Sequence, residues 1–463
     1  MTRFQPVAAL VALACGTLPA FAAAADDAAA LRAELQALKN DYDTRISSLE
    51  ARIAELEASP APSAAAPAAA AMPVAAGEAR STAAAFNPSL SVILGGTYSN
   101  LSQDPGNWQM SGFIPSGGEV GPGERSFNLD ESELTIAANV DPYFSAAVTA
   151  AISAEDEIEV EEAYFRTLAL PSGFTAKGGR FFSGLGYLNE VHAHAWDFVD
   201  QPLVYQAFLA NQRAQDGVQL KWLAPTDLFV ELGAEAGNGE AFPGTRRDRN
   251  GLNATTLFAH VGGDIGDSAS WRAGASWLDA RAEERTYEDV DELGAPVLDA
   301  FTGKSATWVV DAIFKWSPQG NTARQQLKLQ GEYMRRKEDG DLTFDMQGQG
   351  LVGAYASEQS GWYLQSVFQF RPRWRVGVRY DTLDSGTPDI ALVQSGLLPA
   401  AAFPVLRPAD PERISVMLDW NPTEFSRLRA QYAWDDARAT DDQDRQFFLQ
   451  YLFGIGAHGA HKF

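Results

Sequence analysis

The sequence is short of what secreted enzymes and disulfide-stapled domains are built from. It has one cysteine, Cys15, and that residue lies in the leader described below, so the exported chain is expected to carry no thiol and no disulfide. Histidine occurs only five times. No stretch approaches the roughly 18 consecutive apolar residues of a membrane-spanning helix. Basic residues are outnumbered, 36 against 60 acidic, and the net charge of -24 would repel phosphate, which excludes nucleic acid as a partner. A Gly-x-Ser-x-Gly elbow, a His-Glu-x-x-His helix and a phosphate-binding loop are all missing, and the chain is read as a non-enzyme.

What is present starts with an export leader. Arg3 gives a positive start, residues 7–18 are apolar and broken by Gly16, Pro19 follows, and Ala20-Phe21-Ala22 offers a small-x-small cleavage site. Residues 1–22 are therefore expected to be a removed signal peptide. Over residues 28–58, Leu31, Leu35, Leu38, Tyr42, Ile46, Leu49, Ile53 and Leu56 follow one another at steps of 4, 3, 4, 4, 3, 4 and 3, a coiled-coil seam with one stutter. Such a short helix gains little unless it packs on copies of itself, which predicts self-association. Residues 59–85 are rich in alanine and proline and read as a linker.

From residue 86 to 463 the character changes to segments of about ten residues with alternating polarity. Seven short turns separate them: Asp141-Pro142, then residues 170–173, 224–227, 264–267, 317–320, 371–373 and 421–423, each carrying proline, glycine, asparagine or aspartate. One strand before and one after each turn gives fourteen, and residues 89–98 and 446–457 bring the count to sixteen. Long polar connections fall between the hairpins at 99–126, 184–214, 237–253, 280–304, 336–360, 383–411 and 435–445, with a tight hairpin near Glu155-Asp156. The expected fold is all-β, a 16-stranded antiparallel transmembrane β-barrel with an N-terminal α-helical coiled coil on the periplasmic side, in the outer membrane of a Gram-negative bacterium.

Alternation also separates the two faces. Leu134, Ile136 and Ala138 oppose Glu131 and Glu133; Trp308, Val310 and Phe314 oppose Asp311 and Lys315; Val376 and Val378 oppose Arg375 and Arg379. Charge on the lipid face costs about 2–4 kcal/mol near the midplane, so these charges must look inward. The expected pore-lining residues are Glu131, Glu133, Glu159, Glu161, Lys177 and Glu231, with Asp311, Lys315, Arg375, Arg379, Arg427 and Arg429. They predict a wet, ionic interior with acidic and basic walls opposed across it. Tryptophans near strand ends fit interfacial girdles, and the final Phe463 fits the terminal aromatic of such barrels.

Residues 160–165, Val-Glu-Glu-Ala-Tyr-Phe, and 174–182, Phe-Thr-Ala-Lys-Gly-Gly-Arg-Phe-Phe, resemble the strand-turn-strand core of the phosphate-selective porin family. The resemblance implies a trimeric sixteen-stranded pore. Residues 184–190, 194–200 and the ending 456–461 are similar to a narrower proteobacterial group labelled zinc-regulated or TonB-dependent outer-membrane receptors. A TonB-dependent receptor needs a globular plug ahead of about 22 strands, and the region before this barrel is a seam and a spacer. Energised transport is not expected, and the balanced lumen charges do not carry over phosphate selectivity.

The sharpest chemical cluster is Glu190, His192, His194 and Asp197, where extended backbone would put Glu190 and both imidazoles on one face, a donor set that suits Zn2+. The alternative is that residues 184–214 fold into the bore as a constriction, seated by an apolar tail that includes Leu203, Val204, Tyr205, Phe208 and Leu209. His458 and His461 near the C-terminus are weaker metal candidates. No resident cofactor is required. The expected function is a homotrimeric porin, passing small hydrophilic solutes or ions passively, with outer-membrane lipid and lipopolysaccharide around it. The competing expectation is a zinc-responsive metal-uptake receptor.

Overall fold

The computed structural model describes residues 88–456 apart from 118–119, 153–156, 246–247 and 440–441. The signal peptide, the coiled-coil seam, the linker, the tip of the hairpin at Glu155-Asp156, and His458 and His461 lie outside the described residues. The described residues form one antiparallel sheet closed on itself. Its first half comprises β1 (Ser89–Leu101), β2 (Ser126–Asn139), β3 (Phe144–Ile152), β4 (Ile158–Thr167), β5 (Phe174–Phe182), β6 (Ala214–Leu223), β7 (Phe229–Gly237) and β8 (Ala254–Ile265). Its second half comprises β9 (Ala269–Val290), β10 (Pro296–Trp316), β11 (Gln326–Phe344), β12 (Leu351–Arg371), β13 (Trp374–Asp384), β14 (Glu412–Thr423), β15 (Ser426–Asp435) and β16 (Asp444–Gly456).

Each strand pairs with its sequence neighbour, and β16 returns to β1 from Ser91 opposite Gly456 to Leu101 opposite Gln446. Closure removes both sheet edges, which a sheet in hydrocarbon requires because an unpaired backbone group there finds no water. A two-residue strand, Asp389–Ile390, is the one further member of the sheet; it pairs with Tyr355 and Ala356 of β12 rather than entering the barrel wall. All seven short turns connect neighbouring strands as the sequence predicts, so the strand count of sixteen stands.

The outer face follows from alternation. Leu134, Ile136, Leu220, Leu232, Val310, Leu364, Val376, Val416, Leu449 and Phe453 are exposed large apolar side chains, as a lipid-facing belt demands. Trp308 and Trp316 bound that belt on β10, eight residues and about 27 Å apart along the strand. Trp420 and Trp434 are likewise exposed, and the Trp374 and Trp420 rings stack at 6.0 Å.

Two expectations need correction. Residues 280–304 and 336–360 are not loops: they are the upper parts of β9 to β12, which run for 22, 21, 19 and 21 residues. A tilted crossing takes only about 9–11 residues, so this quarter of the wall rises far beyond the belt. Their sequence reads as loop because polar residues there alternate with small or charged ones, while the cross-strand ladder, with one bulge at Phe301–Gly303, runs on to 291–295 and 345–350. The interior is also not wholly ionic. Leu203, Val204, Tyr205, Phe208 and Leu209 pack inside with Phe113, Val309, Met334 and Tyr363. A second apolar core joins Tyr287, Phe301, Leu342, Phe344 and Tyr355 of the tall strands to Leu392, Phe403, Val405 and Leu406 of the connection after β13.

Candidate functional site

The connection from β5 to β6, residues 183–213, folds into the barrel. Its apolar tail forms helix α1 (Leu203–Leu209), all seven residues of which are buried. The wall holds this loop through inward acids that accept its backbone amides. Glu332 accepts from the amides of Tyr187 at 3.0 Å and Leu188 at 3.1 Å and from the hydroxyls of Tyr205 and Tyr363 at 2.9 and 2.8 Å. Glu235 accepts from the Gly184 amide at 2.8 Å, and Asp381 accepts from the Leu203 amide at 3.0 Å, capping the first turn of α1.

Two aspartates of the loop meet the basic side of the wall. Asp197 is bound by Lys328, by Arg375 at 3.1 Å and by the Gln365 amide at 2.9 Å. Asp200 is bound by Arg379 at 3.0 Å, by Arg413 at 2.7 Å and by Gln431 at 2.7 Å. Burial alone would raise both carboxyls, but Lys328 and Arg375 pull Asp197 below the usual aspartate range, and Arg379 and Arg413 do the same for Asp200. Arg427 and Arg429 donate to the carbonyl of Trp196, at 3.1 and 2.6 Å, and Arg429 also pairs with Asp419 at 2.9 Å. The expected basic wall is therefore inward but engaged: Arg375, Arg379, Arg427 and Arg429 clamp the loop, and Asp419, Asp381 and the loop's own aspartates offset their charge.

The four residues predicted as one metal cluster do not converge. The stretch is not extended: turns of 3-10 helix at Leu188–Glu190 and Ala193–Ala195 rotate successive side chains apart. Glu190 swings to Lys221 at 3.2 Å, and Asp197 goes to the basic side. His192 and His194 instead meet the acidic wall of β2 and β4. His194 Nδ1 is 2.6 Å from Glu133 Oε1. His192 Nδ1 is 3.4 Å from Glu133 Oε2 and 3.3 Å from Glu161 Oε2, and its Nε2 is 3.2 Å from Glu162 Oε2. The two imidazoles lie nearly parallel, 5.8 Å apart, and the Phe182 ring closes on His192 at 5.1 Å. Burial opposes charge on His192, but Glu161 and Glu162 more than offset it and hold the imidazole well above its ordinary range.

Glu162 escaped the alternation because β4 carries a bulge. Thr149 pairs with Glu162 and Ala150 with Val160, so Glu161 is the extra residue and both glutamates face in. Of the other expected lining residues, Glu133, Lys177, Asp311, Arg379 and Arg429 are inward and buried; Glu131, Glu161, Glu231, Lys315, Arg375 and Arg427 are half-buried. Glu159 is exposed at the mouth. Lys177 rests over the Tyr164 ring at 4.4 Å, and Glu231 sits 3.2 Å from His260. A cavity of about 410 Å³ opens beside Glu161 and Phe182, and among its lining are Glu131, Glu159, Asp216 and Glu240 against Arg180.

An uncharacterized protein of Aquifex aeolicus is 34% identical over 355 residues, covering 73% of this chain and 71% of that protein. No family model matches the chain. Among solved structures, a loop-deletion mutant of OmpT, an outer membrane protein of Vibrio cholerae, superposes with a TM-score of 0.50 at 11% identity over 80% of this chain and all of that one. The outer membrane channel DcaP of Acinetobacter baumannii gives a TM-score of 0.47 at 12% identity, over 80% of this chain and 98% of that one. The first of these likenesses identifies the fold as that of outer-membrane barrels. Sixteen strands also separate the chain from the TonB-dependent receptors, whose barrels have about 22.

Proposed function

Because the chain belongs to one family with the uncharacterized Aquifex aeolicus protein and closes as a sixteen-strand barrel, we propose that it is an outer-membrane porin, a passive diffusion channel for small hydrophilic solutes or ions. The observation that carries this reading is the β5–β6 connection folded inside the barrel and clamped there by inward acids and arginines. A barrel that only anchored a periplasmic segment would have no use for a charged constriction. The lining supports selection by size and by local charge: carboxylates of β2 and β4 face the cavity, while the arginines opposite are engaged with Asp197, Asp200 and Asp419. Carboxylates gathered on one side of a narrow passage concentrate cations. Trimer formation through the seam of residues 28–58, with lipopolysaccharide around the barrel, belongs to the same proposal.

The test is planar-bilayer conductance of the purified full chain. Stepwise currents with a reversal potential on the cation side of zero support the reading, and absence of steps from verified folded protein removes it. The zinc-uptake alternative draws on a single observation, the meeting of His192 with Glu133 and Glu161, and that observation has a sharper use.

A further inference from the structure

The two contacts of His192 Nδ1 have the spacing of metal ligands rather than of hydrogen bonds. Charge-assisted N–H···O bonds close to about 2.7–2.9 Å. His192 Nδ1 instead stands 3.3 Å from Glu161 Oε2 and 3.4 Å from Glu133 Oε2, and neither it nor Glu161 Oε2 makes a hydrogen bond of acceptable geometry. Two ligands bound at about 2.1 Å to a tetrahedral ion stand about 3.4 Å apart. All three ligand atoms lie within 4.8 Å of one another.

We propose that Glu133, Glu161 and His192 bind a borderline-soft divalent cation of the Zn2+ type inside the bore, with a fourth coordination position open. The surroundings are those of a metal site. His192 Nε2 faces Glu162 at 3.2 Å, so when the ion displaces the Nδ1 proton the remaining one stays on Nε2 and the Nδ1 lone pair points to the ion; a carboxylate behind a histidine is the usual support of such a ligand. His194 holds the second oxygen of Glu133 at 2.6 Å, which fixes the carboxylate's rotation. Phe182 covers one side of the imidazole. The open position matters because closed structural sites use four protein ligands, whereas three leave an exchangeable place, and here the cavity bearing Glu131 and Glu159 opens beside it. An ion that enters through that acidic mouth has somewhere to pause and a way to leave. Imidazole disfavours Mg2+ and Ca2+, which take all-oxygen shells.

The inference rests on the channel reading, since it needs a bore that ions enter, and the two are separable by experiment. The full chain carrying His458→Ala and His461→Ala, which removes the terminal imidazoles, is titrated with ZnCl2 in excess MgCl2 by calorimetry. One ion per chain is expected, with binding weakened at least about tenfold by His192→Gln and independently by Glu161→Gln. Heat-modifiable gel mobility certifies that each variant is folded, and X-ray absorption of the zinc complex should show one nitrogen among oxygens at about 2.0–2.2 Å. No binding, or binding that neither substitution weakens, overturns the site. Conductance measured on the same protein without zinc tells the cases apart: currents with no zinc binding end the metal site and leave the porin, and zinc bound without currents does the reverse.

Discussion

Asp197 and Asp200 fasten the constriction from the side opposite the histidines, and their acidity sets how that fastening answers to pH. Both carboxyls are held below the usual range by their cationic partners, so each binds a proton more weakly in the folded bore than in the unfolded chain. The stability they contribute is fully present above the unfolded aspartate value of about 3.9 and is lost only as pH falls through the lower folded values. A nitroxide on Ala195→Cys, with Cys15 replaced by alanine so that no other thiol reacts, should keep its restricted spectrum from pH 7 to about 4.5 and become mobile only in stronger acid. Release near pH 6 would mean that an imidazole and not these aspartates governs the loop. At this scale the sequence was only partly legible. Glu133 and Glu161 are assigned inward by alternation, but Glu162 is hidden by a bulge with no mark in the residue pattern. Glu190 groups with His192 in the sequence because nothing in Asn-Glu-Val-His-Ala-His announces two separate turns of 3-10 helix.

The loop of residues 183–213 behaves as an element in its own right, with an apolar helix buried against the wall and polar residues clamped around it. Its entry into the bore was legible because Leu203, Val204, Tyr205, Phe208 and Leu209 have no other place to hide from water. The identity of the clamps was not, since Arg379 reads only as an inward charge and Arg413 carries no sequence signal at all until Asp200 arrives between them. Replacing both by glutamine strands Asp200, and breaking a buried pair of this kind costs about 3–5 kcal/mol. The expected result is a larger and noisier single-channel conductance from a barrel that still inserts; unchanged conductance would show that Glu332 and Glu235 hold the loop unaided. The tall hairpins of β9 to β12 were the least legible elements. Alternation of polar with small or charged residues, as in 279–291, carries no apolar face to separate it from a loop, and only the cross-strand ladder decides.

For the whole molecule, strand count, closure and orientation of faces were all legible, because lipid penalises every misplaced charge and every unpaired strand. The seam of residues 28–58 adds a prediction about assembly. Deleting it should leave a barrel that inserts while its oligomer dissociates at lower temperature on heated gels; an unchanged melting profile would remove the trimerising role and favour contact with the cell wall. The clasp on the constriction loop has a consequence in time. The partners of Asp200 come late in the chain: Arg379 lies 179 residues after it and Gln431 231 residues after it. Contacts so distant along the sequence are slow to form. Both ends of the loop are tied to adjacent strands, β5 and β6, so it swings inward without threading, but nothing grips Asp200 until β13 to β15 have taken their places. The lumen is therefore expected to stay wide until β13 to β15 are in place, and to narrow only when they grip Asp200.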